Sequence, residues 1–377
     1  MDAKCLASLS ISGSMRRVPP VPPPRAVDAA LALRRALLRA ADVLLPPTAV
    51  VWDRTMGIER TQVIGAIAEL GVADALAGGP LTAAELAPRV GADADALHRV
   101  LRAAAVDGLL RLDRRGRFRL TRLGRTLGSD ARDSLRPWAR YMALESTRAA
   151  WGDLTESVRS GRAAFPRVHG TSVWDWFASH PEEERLFAAA MRSMTEFEAP
   201  SLTTASVWPE EGTLCDVAGG AGTLLAAILA DRPRLRGVLV EARGVLAEAE
   251  SHLTARGVGD RVELVEGDLF GDVSARADLY VLKNILHDWD DATSAKILAN
   301  VRAAMEPGTR LVLVEQLQER NRAHPFASVT DLQMLTQCDD GRERSPGELK
   351  ELLAGAGFDP GQVERVGISS LVEGVAA

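Results

Sequence analysis

Cysteine is scarce: Cys5, Cys215 and Cys338 are odd in number and far apart. They form no disulfide framework and no zinc-ligand spacing, so a reducing cytoplasm is the expected setting. No run reaches the roughly eighteen apolar residues that a spanning helix needs, and no membrane partner is expected. The opening "MDAKCLASLSISGSMRRVPPVPPPR" lacks a clean apolar stretch preceded by positive charge, so it does not read as a signal peptide. An excess of positive charge is missing too. The net charge of −6 argues against nucleic acid or an anionic membrane as the main partner, although local basic patches remain open. No internal repeat is evident. What is present is an ordinary globular composition, 46% hydrophobic and 25% charged, in 377 residues. That length allows two or three domains, each with its own core.

Residues 1–25 read as a disordered or polyproline-like tail because of the proline-rich run at 19–24, and Met15 is an alternative start. From Val27 to Leu45 apolar residues recur at helical spacing with arginines opposite, and Pro46-Pro47 ends the pattern. "QVIGAIAELGVADAL" (62–76) predicts a second amphipathic helix. Two short helices follow, with Thr82 and Asp93 at N-cap positions and Glu85 completing a capping box. "LLRLDRRGRFRLT" (109–121) alternates around Arg115-Gly116 and predicts a hairpin. Three short helices and a hairpin make a winged helix-turn-helix over residues 26–130. Arg111, Arg114, Arg115, Arg117 and Arg119 on the wing invite a DNA-binding reading, a ligand-responsive regulator. Against it, Asp93, Asp95 and Asp107 in the recognition segment would repel phosphate, and winged helices also serve as dimerisation scaffolds.

Residues 131–205 predict further helices rich in aromatics and methionine. Such side chains suit a core or the wall of an apolar ligand pocket, and both readings stand. Phe187, Met191 and Met194 share a helical face and are the pocket candidates. Asp288 and Met334 join them as expected pocket residues.

Over 206–377 apolar strands alternate with helices, which predicts an α/β, Rossmann-like, doubly wound and mostly parallel sheet. "LCDVAGGAGTLLAAIL" (214–229) is strand, glycine turn and helix, with Gly219, Gly220 and Gly222 allowing close backbone approach. It lacks the third glycine of a dinucleotide fingerprint. Asp216 before the turn would repel a pyrophosphate but suits a positive centre such as an ammonium or a sulfonium. Glu241 ends the second strand, where an acid can hold ribose hydroxyls, and Asp268 ends the third, placed for an adenine amino group. Three acids at successive strand ends favour an adenosyl amino-acid cofactor over NAD.

"DVAGGAG", "RVELVEGDLF", "LKNILHDWDD", "LVLVEQL" and "DLQML…GRERSPGELKELLAGAGF" occur in one order along the chain. In that order they resemble the S-adenosylmethionine-dependent O-methyltransferases of small phenolic molecules, plant caffeate and flavonoid enzymes and bacterial aromatic-polyketide enzymes among them. The resemblance extends from about Val27 onward. It implies a winged-helix dimerisation domain, a homodimer, S-adenosyl-L-methionine as cofactor and S-adenosyl-L-homocysteine as product. The glycine turn would carry the cofactor's methionine part, Glu241 the ribose, and Asp268 and Leu269 the adenine, with Lys283 nearby. His287 matches the base that takes the acceptor's phenolic proton, and Glu315 and Glu343 match the two acids that bracket it. Three departures stand out: Ala218 replaces the usual first glycine of the turn, "EARGV" the commoner "DLPxV", and Asp339-Asp340 precede Glu343 near where glycine is more usual.

Methyl transfer from a sulfonium is an in-line displacement that needs the nucleophile within about 3–3.5 Å of the methyl. A phenol of pKa ~10 facing a histidine of ~6.5 makes unaided proton transfer uphill by roughly 5 kcal/mol. A carboxylate on the other ring nitrogen would narrow that gap. No second histidine lies at ligand spacing, so no metal is expected. The expected activity is methylation of an aromatic hydroxyl on a small molecule, a polyketide or other secondary metabolite. NAD-dependent oxidoreduction is a third reading.

Overall fold

The computed structural model describes residues 24–377. Almost all of the expected tail, Cys5 and the alternative start at Met15 lie outside the described residues. The described residues begin with α1 (Pro24–Val43) and α2 (Pro47–Thr55), with Pro47 in the first turn where its missing N–H costs nothing. Then come α3 (Gly57–Glu69), α4 (Val72–Ala75), β1 (Leu81–Thr82), α5 (Ala83–Val90), α6 (Ala94–Val106), β2 (Leu110–Leu112) and β3 (Arg117–Leu120). The single helix expected over 62–76 is two, because Gly71 adopts φ +66° and interrupts the ladder. Thr82 and Glu85 form a reciprocal capping box, and Asp93 caps α6 through the Ala96 N–H. β3 pairs antiparallel with both β1 and β2 over a core of Leu86, Leu97, Leu101 and Phe118.

Six helices follow: α7 (Arg136–Met142), α8 (Glu145–Gly152), α9 (Leu154–Ser160), α10 (Ala164–His169), α11 (Val173–Ser179) and the long α12 (Pro181–Leu202). A Cβ on Gly65 of α3 would sit 2.2 Å from the Ala143 Cβ, so the N-terminal unit meets the residue after α7 where only glycine leaves room for it.

The remaining strands form one seven-stranded sheet in the order β6-β5-β4-β7-β8-β10-β9. They are β4 (Glu211–Val217), β5 (Arg234–Glu241), β6 (Val262–Glu266), β7 (Leu279–Lys283), β8 (Arg310–Glu315), β9 (Phe358–Val366) and β10 (Ser369–Ala376). The first five positions are parallel, while β10 runs antiparallel to both its neighbours. Alternate residues of each strand enter different cores. Leu214, Leu239, Val281 and Val312 pack with α13 (Thr223–Asp231) and α14 (Arg243–Ala255). Cys215, Val238, Tyr280 and Leu313 pack with α15 (Asp291–Ala303) and α17 (Pro346–Gly355). Both faces are therefore buried, as unbroken apolar strands require. α16 (Ala327–Gln337) packs on α8, α9 and α10 and so ties the sheet unit to the helical segment. Among the described residues no helix is long and apolar enough to cross a membrane.

Candidate active site

The strand order reverses at β4, and the carboxyl ends of β4, β5, β7 and β8 deliver Asp216, Glu241, Lys283 and Glu315 to one rim. Asp216 is 1% exposed, and neither carboxylate oxygen has a hydrogen-bond partner. Burial pushes its pKa up to about 7, the Lys283 ammonium pulls it down in part, and Glu241 adds repulsion. A Cβ on Gly219 would fall 2.4 Å from that carboxylate, so glycine is what lets the turn close over it. Around it Ala218, Gly220 and Gly222 all adopt left-handed backbone, with φ of 55°, 58° and 72°. Ala218, in place of glycine, takes that conformation at a cost of about 1–2 kcal/mol.

Glu241 accepts the Ala242 N–H at 2.5 Å, and burial raises its pKa. Asp268 stands two residues beyond β6, where its carboxylate accepts the Phe270 N–H at 2.9 Å and shapes its own turn. Leu269 is held by its carbonyl, which accepts from the Asn300 amide at 2.8 Å. Lys283 is largely buried and lies 3.4 Å from Glu198 of α12, itself 5% exposed and accepting from Ser369. Glu198 is absent from the sequence reading. Its signal was spacing, since it continues the Phe187, Met191, Met194 face by one more turn.

β7 stops at Lys283 because Asn284 turns to φ 53°, and its side-chain oxygen is buried without a partner. A short 3₁₀ turn, Leu286–Asp288, then presents His287, which is 9% exposed. Its Nδ1 lies 3.0 Å from Glu343 Oε1 and 3.8 Å from Glu315 Oε2. The two glutamates therefore share one side of the ring rather than bracketing it. The Nε2 side faces Asp288 at 3.6 Å. Burial lowers the imidazole's pKa, but Glu343, Asp288 and Glu315 together raise it further, to about 10. Burial pushes Glu315 up to about 7, against the pull of His287. Glu315 also serves the backbone, accepting the Ile285 and Leu286 N–H groups through Oε1. The donor atoms of His287, Glu315 and Glu343 lie within 4.8 Å of one another, close enough to share an ion. The 3.0 Å His287–Glu343 contact, however, is a hydrogen bond and needs a proton on that axis.

The acidic turn after His287 divides its work. Asp290 caps α15 through the Thr293 N–H, while Asp291 meets Arg344 and Arg342. Trp289 stacks on Trp174 with ring centroids 5.9 Å apart. Asp340, in the loop before Glu343, takes φ 61°, a conformation that aspartate tolerates better than most residues.

Phe187, Met191 and Met334 meet Tyr141, Trp138, Trp174 and Cys338 in one apolar cluster. Met194 is half-buried but lies outside that cluster, one turn further along α12. Asp288 reaches the cluster through Cys338, whose Sγ is 3.6 Å from its carboxylate, and burial raises the pKa of both groups. Tyr141, buried and with its phenol pKa raised by burial, and Cys338 carry no expected site role, because nothing in their local spacing announces a cleft.

The comparisons with known proteins identify the family. The family model for the O-methyltransferase domain matches residues 151–359, and that for the O-methyltransferase dimerisation domain matches residues 52–130. This chain belongs to the O-methyltransferase family. Phenazine O-methyltransferase PhzM of Lysobacter antibioticus is 37% identical over 314 residues, covering 83% of this chain and 92% of that protein. O-demethylpuromycin-O-methyltransferase of Streptomyces alboniger is 38% identical over 318 residues, 82% of each. The 8-amino-8-demethylriboflavin N,N-dimethyltransferase of Streptomyces davaonensis, 36% identical over 79% of this chain and 86% of its own length, transfers to nitrogen by its name. The crystal structure of LaPhzM aligns over 88% of this chain and all of that one, with a TM-score of 0.84 and 36% identity. An O-methyltransferase from neocarzinostatin biosynthesis, solved with S-adenosylmethionine and 2-hydroxy-5-methyl naphthoic acid, aligns over 84% and 96% with a TM-score of 0.71 and 32% identity.

Proposed function

We propose that this methyltransferase uses S-adenosylmethionine to methylate an aromatic hydroxyl of a small secondary metabolite, with His287 as general base. The observation that carries the proposal is the short His287–Glu343 contact beside an aromatic-lined cluster at the carboxyl end of the sheet. Bound at the glycine turn, the cofactor supplies a methyl group on a sulfonium. The buried, unpartnered carboxylate of Asp216 suits its ammonium or sulfonium charge, and Glu241 suits its ribose hydroxyls. Asp268 and Leu269 would frame the adenine, with Lys283, anchored by Glu198, closing the site behind Asp216.

On the other side of the cleft, Glu343 occupies Nδ1 and leaves Nε2 to meet the acceptor. An imidazole raised to about 10 matches a phenol of pKa ~10, so the uphill proton transfer of an unperturbed histidine nearly disappears. Phe187, Met191, Met334 and Asp288 would line the acceptor's seat, the apolar walls holding an aromatic plane.

The N-terminal unit bears Leu33, Leu37, Leu38, Leu44, Leu45, Val51, Trp52 and Ile58, all exposed in one chain. A face of that size belongs to an interface, and its occupant is a second copy of this chain in a homodimer. On the wing, Arg117 pairs with Asp113 at 3.1 Å, so one of its five arginines is neutralised within the hairpin.

The test is transfer of labelled methyl from S-adenosylmethionine to a panel of phenolic acids, naphthoic acids and polyketide cores. Label on a phenolic oxygen supports the proposal. Label on ring or side-chain nitrogen alone, or none across a broad panel with cofactor bound, overturns it.

A further inference from the structure

We infer that Arg344 is a positioning residue for methyl transfer, its guanidinium fixing the turn that carries His287 so that the ring keeps its bond to Glu343. The inference rests on the reading of His287 as the base. Arg344 follows Glu343 directly and is 2% exposed. Its Nη1 donates to the Leu286 carbonyl at 2.5 Å and its Nη2 to the Trp289 carbonyl at 2.7 Å. Those two residues stand immediately before His287 and immediately after Asp288. One planar fork thus spans the whole turn on which the two polar groups of the acceptor's seat are mounted. Nε completes the set by donating to Asp291 at 2.9 Å.

The neighbouring residues reinforce the grip. The Arg342 N–H donates to the His287 carbonyl at 2.8 Å, and the Glu343 carboxylate meets the ring. Residues 342–344 therefore hold residues 286–289 by three backbone carbonyls and one imidazole. Among the described residues the other side-chain donor to the Leu286 and Trp289 carbonyls is Ser294, at 3.3 and 3.5 Å, too long to replace the fork. Lysine could not replace it either, since a single ammonium lacks two parallel donors at fixed spacing. Arg344 touches neither the imidazole nor the Asp288 carboxylate, so its effect on chemistry passes through the turn. A displacement of about 1 Å at a reacting group can cost ~10²-fold in rate.

The experiment compares wild type, R344K, E343Q and the double variant in single-turnover methyl transfer across pH. Cofactor affinity and thermal melting are measured alongside. R344K is expected to lower the rate by roughly 10–10²-fold while leaving cofactor affinity within about twofold. It should also move the acid limb of the rate profile to lower pH, because a loosened Glu343 contact raises the imidazole's pKa less. In the E343Q background the same substitution should no longer move the limb. A folded R344K with wild-type rate and limb overturns the inference, as does a loss by one factor at every pH, which reports only a smaller folded fraction. Should R344K fail to fold, D291A keeps the guanidinium and removes its surface anchor; the expected shift is in the same direction and smaller. An unmoved limb in D291A then overturns the inference. H287A separates the two levels: wild-type activity there sinks the base assignment itself, whereas an inactive H287A beside an unaffected R344K sinks only the role of Arg344.

Discussion

Replacing Glu343 with glutamine keeps the shape of the side chain and removes its charge. In the folded protein His287 Nδ1 lies 3.0 Å from Glu343 Oε1, and the ring is raised to about 10 by Glu343, Asp288 and Glu315 against the cost of burial. At that separation and an effective dielectric of ~20, the charge pair is worth about 5 kcal/mol at most. Glu315, 3.8 Å from the same nitrogen, compensates in part. A net fall of ~2–3 pH units in the ring's proton affinity is the working figure, about 3–4 kcal/mol. Two consequences oppose each other. The acid limb of the single-turnover rate, set by deprotonation of His287, should move down by about 2 pH units or more. The plateau rate should fall by roughly 10–30-fold, because a weaker base draws less strongly on the phenolic proton. Well below both limbs a ~100-fold gain in free base outweighs the plateau loss, so near neutral pH the variant should run about tenfold faster than wild type, and a single-pH assay would mislead. The decisive assay is rapid-quench transfer of labelled methyl from pH 6 to about 11, which avoids product release and runs past the wild-type limb. If both the limb and the plateau stay at their wild-type values, the coupling between Glu343 and the base is refuted.

Removing other groups has distinct signatures. D216N should raise the melting temperature of the cofactor-free protein at pH 8, since ionising a carboxyl held near 7 costs up to about 4 kcal/mol, and it should weaken cofactor binding; equal melting at pH 8 contradicts the strain. The sign follows from linkage. Asp216, Glu315 and His287 all bind protons more tightly folded than unfolded, so cofactor-free stability should decline as pH rises from about 4 toward 10. Thermal melts in matched ionic strength across that range test this. G219A should abolish cofactor binding by calorimetry, because the new Cβ lands 2.4 Å from the Asp216 carboxylate. E198A leaves Lys283 buried without its partner and should cost about 3–5 kcal/mol in chemical denaturation, whereas a loss below 1 kcal/mol would show the pair to be dispensable.

Much of this site was legible in the sequence because its members sit where local rules act. Asp216, Glu241, Lys283 and Glu315 each stand at or next to the end of a strand, and an unbroken apolar run gives away its own end. His287 is marked by the same logic, at the join between β7 and the Asp290 cap of α15. Local rules failed where the partner is distant. Glu198 and Arg344 are buried charges that meet Lys283, 85 residues on, and the Leu286 carbonyl, 58 residues back, and neither partner can be read from local spacing. Helical spacing grouped Met194 with Phe187 and Met191, but spacing fixes a face of α12 and not which stretch of that face meets the cleft. The single helix expected over 62–76 follows from its apolar periodicity, which carries on across Gly71 although the left-handed backbone there ends α3.

The central claim, that His287 takes the proton from an acceptor hydroxyl, is tested most directly by H287A in single-turnover transfer near pH 9 with cofactor saturating. The account predicts a loss of about 10²–10⁴-fold with cofactor affinity unchanged and no residual acid limb. Transfer at the wild-type rate, with the wild-type limb, would contradict it.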